Sequence, residues 1–195
     1  KNTQIAIYTM SMAILVILNK EGIKPKAVAG LSLGEYSALT CAKALSLEEG
    51  SKIVRKRGTF MQELVPQGNW AMSAIIGLED DKVEEICSKV EEAFVRAVNY
   101  NCPGQVVVSG EKEAVLSAME TAKKIGARKV IELKTSGPFH TEKLQDASKA
   151  LKKELEKVTF GKCEIPVVKN LNGEIYSKED NIVNVLANHV ISPVK

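Results

Sequence analysis

The residues of this chain best placed to do chemistry are Gly30-Leu31-Ser32-Leu33-Gly34. Gly-x-Ser-x-Gly is the pattern of a nucleophile elbow, in which a serine sits on a sharp strand-to-helix turn. The apolar run Lys26 to Ala29 before it can be a buried strand, and Glu35 to Ala42 after it suits a helix. Small residues are expected on both sides of the serine because the backbone nearly folds onto itself there. The turn lifts the hydroxyl clear and aims the next amide, that of Leu33, at a reacting carbonyl oxygen. An ordinary βα turn with an exposed serine would show the same five letters, so the motif depends on its surroundings.

A serine hydroxyl is a weak nucleophile until a base takes its proton. The chain has two histidines. His140 follows Gly137-Pro138-Phe139 on a loop that can present a side chain. His189 lies near the end of an amphipathic segment and reads as a helix-terminal histidine near the negative end of the dipole. Hydrolases with this elbow supply an acid between serine and histidine. The aspartates in that interval, Asp80 and Asp81, look like helix caps, so a Ser32–His140 dyad is expected. Arg57 lies in the basic run Arg55-Lys56-Arg57. It could bind a carboxylate bidentately or belong to a solvated helix face, and spacing leaves both open.

The elements that must position these residues follow from periodicity. Ile7, Met10, Ile14 and Leu18 recur at helical spacing over Thr3 to Lys20, with Gly22 as the stop. Ser46 and Glu49 form a capping box for a helix through Met61. From Trp70 to Lys134 the pattern changes to β-α-β-β-α-β, the order of a split βαβ or ferredoxin-like unit. Its strands are expected at Ala71 to Leu78, Phe94 to Asn99, Gln105 to Ser109 and Arg128 to Leu133. Tyr100 to Gly104 reads as a loop. After His140 come a helix to Val158, a short strand at Pro166 to Val168, a turn at Asn170 to Gly173 and a last helix from Asn181 to Val190.

Composition bounds the alternatives. The 195 residues carry a net charge of +3, with no dense basic block to suit nucleic acid. The longest apolar run, Met10 to Leu18, is too short to span a bilayer, and no signal-peptide pattern follows it. Cys41, Cys87, Cys102 and Cys163 form no CxxC and suit free, mostly buried thiols in a reducing cytoplasm. The start at Lys1 and the end at Val194-Lys195 suggest a piece of a longer protein.

With these residues in view, the chain resembles the malonyl-CoA:acyl carrier protein transacylases of bacterial fatty-acid synthesis. It is similar, more distantly, to the acyltransferase domains of polyketide synthases. Four segments carry the likeness in order: Gly30 to Leu39, Arg55 to Gln62, Asn99 to Gly110, and Gly137 to His140. The resemblance implies an α/β fold, a parallel-sheet α/β-hydrolase-like core over residues 1–68 and 135–195 with an inserted ferredoxin-like subdomain over 69–134. It implies Ser32 as nucleophile, His140 as base, Arg57 as partner of a malonyl carboxylate, Leu33 N–H as an oxyanion donor, and Gln4 near the site. Phe139 resembles the malonyl-type pattern. Malonyl-CoA and acyl carrier protein are the implied partners, without metal or cofactor, in a cytoplasmic monomer. Arg128 and Lys129 are candidates for a carrier-protein docking patch. Leu31 stands where the family often has His. The family's leading Gly-Gln-Gly loop and its C-terminal histidine-orienting segment find no match here, so an oxyanion hole half built is expected. Rival readings are a serine hydrolase or thioesterase using water, a polyketide-type acyltransferase with another acyl group, and a carrier-binding module without turnover.

Overall fold

A computed structural model describes residues 2–91, 93–134 and 137–195; Thr135, which opens the second core segment, lies outside the described residues. The fold is α/β and divides into two compact units. The first comprises Lys1–Leu64 and Asp146–His189, and the second Val65–Gln145 and Val190–Lys195.

The first unit is built on α1 (Thr3–Lys20), α2 (Gly34–Cys41), α3 (Leu47–Glu63), α6 (Gln145–Leu155) and α7 (Ile182–His189). Ser46 caps α3 as its spacing predicts, its hydroxyl accepting the Glu49 N–H at 3.1 Å. The Glu49 carboxylate closes the box through the Ser46 hydroxyl, at 3.0 Å, rather than through the Ser46 amide. The core is Tyr8, Tyr36, Leu39, Leu45, Ile53, Val54, Leu151, Leu155 and Leu186. Gly50 allows α1 to come close, since a Cβ there would lie 2.1 Å from the Tyr8 hydroxyl. Tyr8 in turn meets Thr40 Oγ1 at 2.8 Å.

The helix α1 has its expected bounds but a different inner face. Tyr8 and Met12 are buried, while Ile7, Met10 and Ile14 are exposed. Apolar spacing could not show this, because α1 is apolar on several sides and the polar residues Gln4 and Tyr8 make the inward contacts. By length and composition alone its 18 residues, of mean hydropathy 1.3, could cross a membrane. Length therefore does not give the exclusion that the run Met10 to Leu18 suggested.

The expected parallel sheet is also reduced. Among the described residues, Val28 makes one parallel bridge to Val167, with Val28 N–H on Pro166 O and Val168 N–H on Val28 O. Among the described residues this bridge stays isolated and does not extend into a parallel ladder. That bridge leads directly into the turn at Gly30. A Cβ on Gly30 would sit 2.1 Å from the Gly34 carbonyl carbon, whereas one on Gly34 would touch nothing. The expected requirement for small residues on both sides is therefore real at Gly30 and absent at Gly34.

The second unit has a four-stranded antiparallel sheet in the order β2-β3-β1-β4, from β1 (Trp70–Ile76), β2 (Val95–Cys102), β3 (Gln105–Glu111) and β4 (Lys129–Leu133). Two helices, α4 (Asp80–Ser88) and α5 (Lys112–Lys124), complete it. One sheet face packs Ala71, Ile75, Val106 and Val108 against Val83, Ile86, Val115 and Met119 of the helices. Met72, Ala74, Val98 and Val107 point to the other face, where Phe139 and Leu133 cover them. The loop expected at Tyr100 to Gly104 is mostly strand, since β2 runs to Cys102 and turns on Pro103-Gly104. Val194 returns to pair with Asn99, its N–H on Val98 O and its carbonyl accepting Tyr100 N–H. Of the cysteines, only Cys87 is buried, and Cys102 is exposed at the hairpin, against the expectation of mostly buried thiols.

Gly30→Ala should lower stability by more than about 2 kcal/mol, because the obstacle is backbone and cannot rotate away. Gly34→Ala, at the first position of α2, should stay within about 1 kcal/mol of the parent. Thermal unfolding followed by circular dichroism separates the two.

Candidate active site

Within the first unit the structure brings together three of the residues singled out from the sequence. Ser32 stands on the turn before α2 with φ of 51°, left-handed backbone that an L residue adopts only when its surroundings hold it there. Arg57 projects from α3 and is 2% exposed, so it is not on a solvated basic face. Its Nη2 donates to Ser32 Oγ at 2.8 Å and its Nη1 to Gln4 Oε1 at 2.6 Å. The guanidinium also lies 5.6 Å from the centre of the Tyr36 ring. No carboxylate stands within 4.0 Å of it among the described residues. Burial pulls its pKa down, opposed chiefly by Tyr36 and Glu35. A cation at this distance lowers the cost of forming an alkoxide on Ser32.

The amides of the turn are differently engaged. Ser32 N–H goes to Asn170 Oδ1, Gly34 N–H to Leu31 O, and Glu35 N–H to Ser32 O. No hydrogen bond occupies the Leu33 N–H among the described residues, which suits an oxyanion donor.

Two buried neighbours of the elbow escaped the sequence reading. Glu35 lies fully buried beside the motif. Its Oε1 accepts from Tyr176 at 2.5 Å and its Oε2 from the Asn170 N–H at 3.1 Å. Burial raises its pKa, and these two donors with Arg57 and Lys169 oppose the rise. Its place directly after the motif, on a helix of small apolar residues, was the available signal. Asn170 carried none, because its partners lie more than 130 residues away. His189 does end α7, as expected, but is 1% exposed, with Nδ1 3.4 Å from Glu35 Oε2.

His140 belongs to the second unit. It is buried, with φ of 60°, another left-handed residue. The Thr141 hydroxyl donates to Pro138 O at 2.6 Å and accepts Lys143 N–H, opening the turn of 3-10 helix Glu142–Leu144. Phe139 beside it packs on the sheet, and Gly137 packs on the Phe139 ring. Arg128 and Lys129 are exposed, Lys129 opening the edge strand β4.

The chain is 41% identical to the malonyl CoA-acyl carrier protein transacylase of Bacillus subtilis, matching all of this chain and 62% of that protein. It superposes with a TM-score of 0.93 on the malonyl CoA-acyl carrier protein transacylase of Clostridium perfringens, at 45% identity, covering 98% of this chain and 61% of that one. It also superposes with a TM-score of 0.93 and 38% identity on a structure titled as a type II PKS acyl-carrier protein in complex with its malonyl-transacylase, covering 99% of this chain and 63% of that one. The chain thus spans under two thirds of these relatives. A model of the acyl transferase domain matches residues 1–194, and the chain belongs to that family.

Proposed function

We propose that this chain carries the acyl-transfer chemistry of a malonyl-CoA:acyl carrier protein transacylase. The observation that carries the reading is Arg57, a buried guanidinium bonded to the candidate nucleophile with no carboxylate at ion-pair distance among the described residues. Such a group favours an acyl chain ending in a free acid, since a planar fork binds a carboxylate through two parallel hydrogen bonds. Gln4 fixes the fork from its other side.

In the proposed cycle His140 takes the proton of Ser32 as Oγ attacks the thioester carbonyl of malonyl-CoA. The tetrahedral oxyanion is held by the Leu33 N–H. The C–S bond breaks, CoA leaves as its thiol with the proton from His140, and malonyl-Ser32 remains. The phosphopantetheine thiol of acyl carrier protein then loses its proton to His140 and attacks the ester. Ser32 recovers its proton as malonyl moves to the carrier. Arg57 keeps the malonyl carboxylate fixed through both halves, which orients the ester toward the thiol. The assignment of His140 rests on its motif and on the strained, buried loop that holds it.

The same reading treats the second unit as a ferredoxin-like subdomain inserted in an α/β-hydrolase-like core. It supports a monomer in the cytoplasm, with Arg128 and Lys129 on the subdomain offering positive charge to an acidic carrier protein.

Brief incubation with malonyl-CoA should add one malonyl mass to the protein, read by intact mass spectrometry, and Ser32→Ala should abolish it. Arg57→Ala should cut the rate of malonyl loading on the order of 10²-fold, the usual scale for removing one partner of a buried charged pair. Neutral acyl-CoA donors should lose much less; an equal loss for both would remove Arg57 from acyl selection. Reversing charge at Arg128 and Lys129 together should raise the carrier-protein KM several-fold while malonyl loading of Ser32 is unchanged, and this effect should shrink with added salt.

A further inference from the structure

The elbow is closed by a side chain from a distant part of the chain. Asn170 Oδ1 accepts the Ser32 N–H at 2.5 Å, and its Nδ2 donates to Gly30 O at 2.7 Å. One amide group thus spans the turn from the residue that carries the hydroxyl to the glycine two positions before it. Asn170 is itself 5% exposed and is anchored through its own N–H on the Glu35 carboxylate. The other oxygen of that carboxylate is fixed by the Tyr176 phenol.

The segment around Asn170 is braced as well. Lys169 N–H bonds Glu174 O, Gly173 N–H bonds Lys169 O, and Tyr176 N–H bonds Val167 O. Gly173 takes the positive φ of 75° that this turn requires. Lys169 Nζ, nearly buried, holds Asp180 at 2.8 Å. Asn170 therefore arrives at the elbow on a rigid support, with both ends of its amide engaged by the two atoms that define the turn.

We infer that Asn170 is a positioning residue for the reaction: its side-chain amide, anchored by Glu35, holds the left-handed backbone at Ser32 and so sets where Oγ and the Leu33 N–H point. The inference rests on the reading of Ser32 as the nucleophile. It deepens that reading by naming what keeps the nucleophile aligned. Asn170 touches no reacting atom in this role and acts through Gly30 and Ser32. Misplacing a reacting group by about 1 Å from outside the site costs on the order of 10²-fold in rate. Replacing Asn170 should therefore lower kcat and spare KM, because Arg57 and Gln4, which would bind the acyl group, are left in place.

The test measures two reactions of the full chain, for the parent, Asn170→Ala and Asn170→Ser. The first is loading from malonyl-CoA, giving kcat and KM. The second is labelling of Ser32 by a neutral fluorophosphonate, which needs an aligned serine but no malonyl group. All rates are taken at a temperature where circular dichroism shows the variant folded. The expected result is a drop of roughly 10- to 100-fold in kcat and in phosphonate labelling, with KM changed less than about threefold. Parent-like kcat, or a loss confined to KM, overturns the inference while leaving the malonyl reading intact. A parent that takes the phosphonate and never malonyl overturns the malonyl reading, and the labelling rates alone then decide the role of Asn170. A parent that takes neither overturns both. Should neither variant fold, Asn170 serves stability and the positioning role falls.

Discussion

A buried guanidinium bonded to a serine hydroxyl is the interaction on which the first unit turns. A charge removed from water is costly unless its surroundings compensate. Here the compensation comes from Gln4 of α1, Ser32 of the elbow, the face of Tyr36 on α2, and the more distant negative charge of Glu35. These contributors come from α1 on one side and from the elbow and the first turn of α2 on the other. The packing of α1 against α3 through Gly50 and the close approach of Gly30 to Gly34 are both needed to bring them to one point. A pair of oppositely charged side chains would have been easier to bury. A cation left without a carboxylate at ion-pair distance keeps its strongest interaction for the acyl group the site is proposed to take.

Glu35 has the complementary position. It is a carboxylate with no surface, surrounded by a phenol, an amide, an imidazole and two positive groups at longer range. Burial favours its neutral form and the donors favour its ionised form. Its neighbour Tyr36 is pushed up to about 12 by burial and by that same carboxylate. The elbow thus meets a buried cation through the Ser32 hydroxyl and a buried acid through Asn170.

The sequence made the elbow, the α3 cap and the β-α-β-β-α-β order readable, because each depends on residues a few positions apart. Ser46 and Glu49 are one helical turn from each other, and the Gly30–Gly34 contact lies within five residues. The inner face of α1 was not readable. Its helix is apolar on nearly every side, and what turns Tyr8 and Gln4 inward is a glycine on α3 and an arginine further along it. Asn170 was equally hidden, since a turn asparagine and an elbow clamp have the same local pattern. Arg57 could be placed only by seeing which side of α3 is buried, and the basic run around it pointed to solvent. The parallel strand at Val28 was over-read because three apolar residues, Ala27 to Ala29, establish an extended segment and not the neighbours that would make it a sheet.

The left-handed backbone at Ser32 has a consequence for which nucleophiles this scaffold can accept. A β-branched side chain is a severe outlier at φ of 51°. Threonine, which differs from serine by one methyl group and serves as a nucleophile in other enzymes, is therefore excluded by the backbone before any question of reactivity arises. Cysteine, unbranched at Cβ, is not. Under mutational drift the position has an open exchange toward a thiol and a closed one toward a secondary alcohol. The shape of the turn, and not the acyl chemistry alone, limits the evolutionary choices at the centre of the site.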